Sequence, residues 1–426
     1  MRVVILNKSD SIGGAAVVSR RLMEALREEG IDARMLVCEK LTDSPYVELA
    51  APEKMIKWKF LLERLKIFIA LRFKKQNLFK IDTGEEGLPL WKHPLVKEAD
   101  AILINWVNQG MLSLHGLKKI LNLGKPVIWT MHDMWNMTGI CHHAGKCNHF
   151  HEKCGNCPLL NGKSSPKDLS SEIWERKFKI YNDQKAKNKL AFVAVSSWLK
   201  GKATESSLLK NQRVEVIPNA FKISNDFIRT TSKLMPSSRV RILFGAARLD
   251  DPIKGLETLK ETSRFLRKNY PDIAENLEIA MFGNVKDPSA LEGFELPVIK
   301  LGVLHGEEEV RKAYDNSSIV VSASSYETLP GTLVEAQAYG CIPVSFNQGG
   351  QKDIIDNGVT GFLAEYDEDI SKRSRNLAET LLKAYSVIKD SDIHKEFLMR
   401  MRKNVEERFS YPQIAKKYIS LIRELG

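Results

Sequence analysis

The chain has 426 residues, enough for two or three domains of ordinary size with a large core. Its 43% hydrophobic and 27% charged residues are typical of soluble globular proteins. The N-terminal apolar run is too short for a signal peptide and no later stretch is long enough to span a bilayer, so we expect a cytoplasmic protein. The formal net charge of +11 calls for an acidic partner: nucleic acid, an anionic membrane or a phosphorylated substrate.

Strand and helix patterns alternate through the first half of the chain. Short apolar runs predict strands at Arg2 to Asn7, Ala33 to Cys38, Ala101 to Asn105, Val127 to Thr130, Phe192 to Ser196 and Val214 to Pro218. Helical patterns, such as Ala16 to Glu29, lie between them. The alternation predicts a doubly wound α/β domain.

The segment from residue 53 to residue 80 carries most of the net positive charge, with nine basic and two acidic residues. Its apolar residues recur as one helical stripe, made of Met55, Trp58, Leu62, Leu65, Ile69 and Phe73. Basic residues follow a neighbouring row, made of Lys54, Lys57, Arg64, Arg72 and Lys75. The pattern favours equally an interfacial helix on an anionic membrane and a helix packed on the domain with a solvated basic face. Nucleic-acid binding is a weaker interpretation, since no recognised binding motif accompanies the charge.

Loops at predicted strand ends carry further candidate residues. Gly13 and Gly14 open a helix, where glycines let a backbone approach closely and the helix N-terminus favours an anion. His132 follows another strand end. By themselves these are weak signals, because such glycines are common and a lone His is usually a satisfied loop residue. Ser196 and Asn219, each just past a strand, are candidates for an acceptor side or a hinge.

Four of the six cysteines lie between residues 141 and 157. Cys154 and Cys157 have the spacing of half a tetrahedral zinc site, which Cys141 and Cys147 would complete. Stable disulfides are not expected in the cytosol. The irregular spacing of the first pair leaves four reduced thiols as an equal alternative.

A polar stretch through Ser232 to Ser238 precedes a second alternating series. Its predicted strands are Arg241 to Ala246, Glu278 to Phe282, Val298 to Leu301, Ile319 to Ser322 and Ile342 to Phe346. A second doubly wound domain therefore follows a boundary near residues 219 to 238. The last segment, Tyr411 to Leu425, has the apolar spacing of a helix.

The second half also carries the strongest motif. Glu327 and Glu335 lie eight positions apart, where a strand ends and a helix predicted over Thr332 to Tyr339 begins. In an open α/β sheet ligands bind in this crevice, and the helix N-terminus favours an anionic group. We therefore expect a phosphate that carries a sugar. The alternative is a capping box of Thr332 and Glu335 that serves only its own helix.

This motif resembles the donor site of the retaining family-four glycosyltransferases, enzymes of the GT-B fold, which carry a Glu-x7-Glu pair in this setting. The resemblance covers nearly the whole chain. It implies two Rossmann-like α/β domains, residues 1–220 for the acceptor and residues 221–408 for the nucleotide-sugar donor. It also implies a final helix, residues 409–426, that crosses back to the first domain. The Cys-bearing loop after His132 resembles that of capsule and exopolysaccharide transferases.

The resemblance implies roles for the candidate residues. Glu335 would bind the ribose hydroxyls and Glu327 would contact hydroxyls of the transferred sugar, which His132 would also face. Arg248 and Lys254 match the family pattern Arg-Leu…Lys-Gly and would stabilise the departing diphosphate, whose negative charge grows as the bond breaks. His132, Arg248, Lys254 and Glu327 are thus the predicted catalytic residues. The predicted donor-binding residues add Gly13, Gly14, Leu329, Pro330, Gly331, Thr332, Leu333 and Glu335.

The predicted activity is transfer of a sugar from a nucleotide donor, UDP being favoured over GDP, to a growing lipid-linked glycan in surface polysaccharide synthesis. By resemblance the reaction retains the anomeric configuration and requires no catalytic metal, so any zinc would be structural. The expected partners are the donor, the glycan acceptor and the inner face of an anionic membrane, but no nucleic acid. Two alternatives remain: a GT-B sugar-nucleotide epimerase, and a basic nucleic-acid-binding or scaffold protein.

Overall fold

The computed structural model describes residues 1–162, 164–223 and 239–426, with the backbone alone at residues 185–187. The chain separates into two compact units. Unit 1 holds residues 1–220 and 411–426, and unit 2 holds residues 221–410. Each unit contains one sheet of parallel strands with helices between them, which confirms the predicted class of two Rossmann-like domains. The predicted polar connection through Ser232 to Ser238 lies outside the described residues.

The sheet of unit 1 has seven strands in the order β3-β2-β1-β4-β5-β6-β7. They are β1 (Arg2–Leu6), β2 (Asp32–Val37), β3 (Val47–Leu49), β4 (Ala101–Ile104), β5 (Val127–Met131), β6 (Leu190–Ala194) and β7 (Val214–Val216). The helices are α1 (Gly14–Glu28), α2 (Glu53–Ala70), α3 (Pro94–Glu98), α4 (Leu114–Leu121), α5 (Leu169–Tyr181), α6 (Gln184–Lys189) and α7 (Ser197–Glu205). The strand order reverses between β1 and β4, so their carboxyl ends border the crevice where such sheets bind ligands.

The sheet of unit 2 has six strands in the order β10-β9-β8-β11-β12-β13. They are β8 (Val240–Arg248), β9 (Leu277–Asn284), β10 (Val298–Gly302), β11 (Ile319–Ser322), β12 (Ile342–Phe346) and β13 (Phe362–Ala364). The helices are α8 (Leu256–Asn269), α9 (Pro271–Ala274), α10 (Gly306–Asp315), α11 (Gly331–Ala338), α12 (Ile370–Lys389) and α13 (Ser391–Arg408). Here the order reverses between β8 and β11.

The last helix, α14 (Tyr411–Leu425), belongs to unit 1 although it follows unit 2 in the chain. Its apolar face packs with α1 and the sheet in one core, and Ile414 and Tyr418 are buried there. The Tyr418 hydroxyl also makes a 2.8 Å hydrogen bond with Thr130 Oγ1 of β5. Burial of this stripe, rather than helix propensity, is what holds a 15-residue helix in place.

Helix α2 has two different faces. Its inner face buries Glu63 and Arg64, whose side chains bond to the segment 78–86. Its outer face exposes large apolar side chains, namely Met55, Trp58, Leu61, Leu65, Ile69 and the following Phe73. Trp58 is 60% exposed and Phe73 is 67% exposed, so the apolar stripe faces solvent and does not pack against the rest of unit 1.

Two details of the predicted α2 pattern are wrong. Arg64 is 6% exposed and forms an ion pair with the buried Asp82, so it does not belong to the basic row on the surface. Leu62 is half-buried, and Leu61 takes its place in the exposed stripe. Both errors have one cause. Successive side chains are only 100° apart around the helix axis, so the sequence pattern fits a stripe through a residue or through its neighbour.

Candidate functional site

The predicted residues of unit 2 lie at the carboxyl ends of β8 and β11, on both sides of the point where the strand order reverses. Arg248 is the last residue of β8, and Lys254 ends the short 3-10 turn that follows. Glu327 lies in the loop after β11, and Glu335 lies in the second turn of α11. A backbone hydrogen bond of 3.0 Å from Ser325 N to Ile253 O joins the two loops. The fold therefore brings these four side chains to one crevice.

Lys254 and Glu327 form the closest charged pair of the crevice. Lys254 Nζ lies 2.5 Å from Glu327 Oε1, and Ser324 Oγ donates to the same oxygen at 2.9 Å. Both charged side chains are less than one-third exposed. Water screens such a pair less than a pair on the surface, so each charge holds the other in a fixed position.

Arg248 is held by two carboxylates. Its guanidinium lies 3.4 Å from Asp250 and 3.3 Å from Asp251, and its side chain is 38% exposed. Ion pairs this open to solvent contribute little to stability, typically about 0–1 kcal/mol. Arg248 is therefore positioned by its neighbours but remains accessible to an anion.

Glu335 does not form the capping box with Thr332. Helix α11 begins at Gly331 rather than at Thr332, its N-cap is Pro330, and no side chain caps it. Glu335 Oε2 instead accepts a 2.9 Å hydrogen bond from the Tyr314 hydroxyl of α10. Tyr314 stacks on Tyr339 with ring centroids 5.1 Å apart. Tyr314 could not be predicted as a partner of Glu335, because it belongs to a different helix.

Other predicted donor-binding residues line the same turn. Pro330 and Gly331 start α11, while Leu329 and Leu333 are buried and fix the turn against the core. Thr332 is half-buried in the first turn of the helix. The turn thus presents the N-terminal end of α11 to the crevice, where amide groups favour an anion.

Two glycines allow the backbone to approach this crevice: Gly255, the last residue of the predicted Arg-Leu…Lys-Gly pattern, and Gly349, which sequence reasoning missed. At Gly349 a Cβ would lie 2.6 Å from the Glu327 carbonyl oxygen, and Gly350 N donates to that oxygen at 2.7 Å. At Gly255 a Cβ would lie 2.0 Å from the Ala323 carbonyl oxygen. Both Gly349 and Gly255 have positive φ, so only glycine fits there without strain. A Gly-Gly pair after a strand was the available signal.

In unit 1, His132 follows β5 and is half-buried. Its Nε2 lies 3.1 Å from Asn105 Oδ1, at the end of β4. Burial lowers the pKa of His132 to about 4, even though Asp133 acts to raise it, so the ring is neutral at pH 7. Gly13 and Gly14, exposed at the start of α1, follow β1, and Gly13 has φ 86°. Ser196 caps α7, and Asn219 lines a small cavity that His132 also borders.

A buried network beside His132 was not predicted. His142 lies between two carboxylates, with Nδ1 2.7 Å from Asp133 and Nε2 3.0 Å from Asp82. Asp82 also pairs with Arg64, and Trp106 Nε1 donates to Asp133 at 2.9 Å. Burial opposes the charge on Asp133, yet the field and hydrogen bond of His142 lower the pKa of that carboxyl to about 2. The network joins α2 to the loop that carries His132.

The four thiols predicted as zinc ligands are reduced. Burial raises the pKa of Cys154 and Cys157 to about 12, so both are neutral, and Cys154 Sγ accepts a hydrogen bond from Gly139 N. Among the described residues, no three or more His, Cys, Asp or Glu side chains are arranged to hold a metal ion. Structural zinc at Cys141, Cys147, Cys154 and Cys157 stays a prediction, which elemental analysis of the purified protein would test.

Within residues 1–162, 164–223 and 239–426, no helix combines the length and the apolar character that crossing a bilayer requires.

Two family models match the chain. One, described as Glycosyltransferase Family 4, matches residues 12–224, and the other, described as Glycosyl transferases group 1, matches residues 240–385. Glycogen synthase from Pseudomonas fluorescens is 28% identical to the chain over 207 residues. That alignment covers 45% of this chain and 40% of the synthase, so the chain spans less than half the length of this relative.

Solved structures resemble the chain over its whole length. HepE from Anabaena, in complex with UDP and glucose, has a TM-score of 0.59 and 16% identity, and 99% of each chain is covered. Sucrose-phosphate synthase from Thermosynechococcus elongatus has a TM-score of 0.62 and 15% identity, covering 100% of this chain and 98% of the other. At this level of identity the likeness shows a shared fold.

Proposed function

The chain belongs to glycosyltransferase family 4, and from that premise we propose that it moves a sugar from a nucleotide donor to a growing lipid-linked glycan, with retention of configuration. The observation that carries the proposal is the crevice of unit 2, where Lys254, Glu327, Arg248 and Glu335 converge beside the start of α11. UDP is favoured over GDP as the nucleotide, and the HepE complex with UDP supports this choice.

Each group in the crevice suits one part of such a donor. Glu335 would accept hydrogen bonds from the ribose hydroxyls, with Tyr314 holding its carboxylate in place. Glu327 would contact hydroxyls of the transferred sugar. A diphosphate carries more negative charge than one carboxylate, so it would compete with Glu327 for Lys254 and with Asp250 and Asp251 for Arg248.

The same two cations would act in the chemical step. Negative charge grows on the diphosphate as the glycosidic bond breaks, so Arg248 and Lys254 would stabilise the transition state more than the bound donor. The acceptor hydroxyl would attack from the face that the diphosphate leaves, and the leaving phosphate would take its proton. Because side chains supply the positive charge, the proposed mechanism calls for no catalytic metal.

The outer face of α2 supports a membrane-bound acceptor. Its exposed apolar side chains lie among exposed basic residues, namely Lys54, Lys57, Arg72, Lys74, Lys75 and Lys80. Apolar side chains surrounded by positive charge complement a bilayer with anionic headgroups, where each Lys or Arg contributes about 1 kcal/mol. We therefore assign this face to the anionic inner surface of a membrane, where a lipid-linked glycan in surface polysaccharide synthesis would be met.

A thermal-shift screen tests the donor assignment. UDP-sugars should raise the melting temperature of the wild type, because a ligand that binds only the folded state stabilises it. Glu335→Ala should weaken donor binding by about 1–3 kcal/mol, the scale of a hydrogen bond to a charged group, while the protein stays folded. Glu379→Ala, an exposed carboxylate on α12, is the matched control and should bind as the wild type does. Unchanged donor affinity in folded Glu335→Ala protein would remove Glu335 from the site.

A further inference from the structure

Asn105 lies at the point in unit 1 where the strand order reverses. It follows β4, which pairs with β1 on one side and with β5 on the other. His132 follows β5, so the two side chains meet at adjacent strand ends. Trp129 Nε1 donates to the Asn105 carbonyl oxygen at 3.1 Å and helps to fix the backbone there. Asn105 therefore approaches His132 from a rigid element.

The contact between them selects a tautomer of His132. The ring is neutral at pH 7 because burial lowers its pKa to about 4, so one ring nitrogen carries hydrogen and the other accepts. Asn105 Oδ1 lies 3.1 Å from Nε2 and can only accept a hydrogen bond. The hydrogen is therefore on Nε2, and Nδ1 is left with a lone pair for a hydroxyl group.

The buried amide of Asn105 does not favour the stability of the fold. Its side chain is 3% exposed, and its buried Nδ2 has no hydrogen-bond partner among the residues that the structure describes. A buried amide that lacks a partner destabilises the folded state. The residue also borders the cavity lined by Thr130, His132 and Asn219. A residue placed for packing would be apolar here, so the amide calls for a reason other than stability.

We propose that Asn105 is a positioning residue for His132, which holds the imidazole as the Nε2–H tautomer so that Nδ1 accepts a hydrogen bond from a hydroxyl of the bound sugar. The inference rests on the proposed function for the identity of the sugar. The tautomer itself does not depend on that function, so the two can fail separately.

Long-range proton–nitrogen spectra of the full-length protein labelled on histidine nitrogen would show the tautomer directly, with His132→Gln identifying the signal. The wild type should show Nε2–H, and Asn105→Ala should show a mixture of both tautomers. Asn105→Asp should raise the pKa of His132 toward the neutral range, since a carboxylate would join Asp133 in favouring the imidazolium. The other groups bordering the cavity that can hydrogen-bond, Thr130, Asn219 and Tyr418, carry no charge at that pH.

Asn136→Ala is the matched control. Asn136 is likewise 3% exposed, but its side chain interacts with the Tyr181 hydroxyl rather than with His132. This variant should leave the tautomer unchanged. Wild type with Nδ1–H, or a tautomer that Asn105→Ala does not alter, would overturn the proposal.

Enzyme activity provides a second, independent test of the positioning role of Asn105. Asn105→Ala should lower kcat/KM for release of UDP from a UDP-sugar by about fivefold to tenfold, the effect of one lost hydrogen bond. In a His132→Ala background, Asn105→Ala should leave kcat/KM almost unchanged, because Asn105 acts only through the imidazole ring of His132. Equal losses in both backgrounds would show that Asn105 acts independently, which contradicts the proposal. Absence of any transfer or UDP release, with the expected tautomer, would refute the proposed function and leave the positioning role intact.

Discussion

Units 1 and 2 use charge in opposite ways at the carboxyl edges of their sheets. In unit 2, Lys254 and Arg248 are partly exposed and paired with carboxylates that a ligand can replace. In unit 1, Arg64, Asp82, His142 and Asp133 are buried and bonded to one another. A partly exposed ion pair can exchange its partner at a small cost in free energy, whereas removing one partner from a buried pair strongly destabilises the protein. The contrast shows that unit 2 leaves its cations accessible at the sheet edge, whereas unit 1 uses its buried charges to fix the loop beside His132.

Removing Asp82 should have the largest effect, because it disrupts the buried network of unit 1. Asp82→Ala leaves the buried Arg64 without its carboxylate and removes one of the two carboxylates that flank His142, and breaking a buried pair costs about 3–5 kcal/mol. Chemical denaturation measures the loss in free energy of unfolding. Glu407→Ala, which breaks an exposed pair with Lys403, should cost at most about 1 kcal/mol. Similar values for the two variants would show that the network does not hold unit 1.

Neutralising the outer face of α2 should have the next largest effect, on binding to lipid rather than on folding. Changing Lys54, Lys57 and Lys75 to Gln should weaken binding to anionic vesicles by about 3 kcal/mol, at about 1 kcal/mol for each charge. High salt should weaken the wild type in the same direction through screening. Vesicle sedimentation with anionic and neutral lipid measures both.

The matched control for the lipid experiment changes three other exposed lysines of unit 1, Lys118, Lys119 and Lys210, to Gln. It removes the same charge without touching α2 and should bind as the wild type does. Wild type that sediments equally poorly with both lipids would contradict the membrane assignment.

Replacing Arg248 or Lys254, the partly exposed cations of unit 2, should affect turnover. Arg248→Ala and Lys254→Ala should each lower kcat by about 100-fold, as the loss of a group that stabilises developing charge does, with a smaller effect on donor affinity. Steady-state release of the nucleoside diphosphate and calorimetry of donor binding separate the two. Lys268→Ala, an exposed lysine on α8, is the control. Turnover equal to that of the wild type would show that neither cation assists departure of the diphosphate.

The smallest expected effect concerns the start of helix α11. Since Thr332 caps nothing, Thr332→Ala should change the free energy of unfolding by less than about 0.5 kcal/mol. The Asp369 carboxylate does cap α12, because it accepts a 2.9 Å hydrogen bond from Lys372 N. Asp369→Ala should therefore lower the free energy of unfolding by about 1 kcal/mol. Equal losses in denaturation curves would mean that the capping box of Thr332 and Glu335 forms after all.

The same contrast explains what could be predicted from the sequence. The candidate residues of the unit 2 crevice lie in two short stretches at the ends of β8 and β11, so their spacing and setting are visible in the sequence. The fold class followed from alternating apolar runs, although the three-residue strands β3 and β13 at the sheet edges were missed. Tyr314, the partner of Glu335, was missed because only the tertiary fold brings α10 beside α11.

The buried network of unit 1 could not be predicted for a similar reason. Asp82 and His142 are 60 positions apart, and Arg64 belongs to a helix whose charge pattern suggested a surface role. A single sequence shows composition and local periodicity, but it does not show which distant segments contact each other in the fold. The four cysteines were visible, yet their spacing could not decide between metal and free thiols.

The two-faced construction of α2 has a consequence for engineering. Glu63 and Arg64 fix the helix from the inside, and the outward side chains make few of the contacts that hold it. Polar substitutions at Trp58, Leu61, Leu65 and Phe73 should therefore yield a variant that is easier to concentrate and crystallise without detergent. Such a variant would permit structures with soluble acceptor fragments, because the residues assigned to the donor lie outside the changed surface.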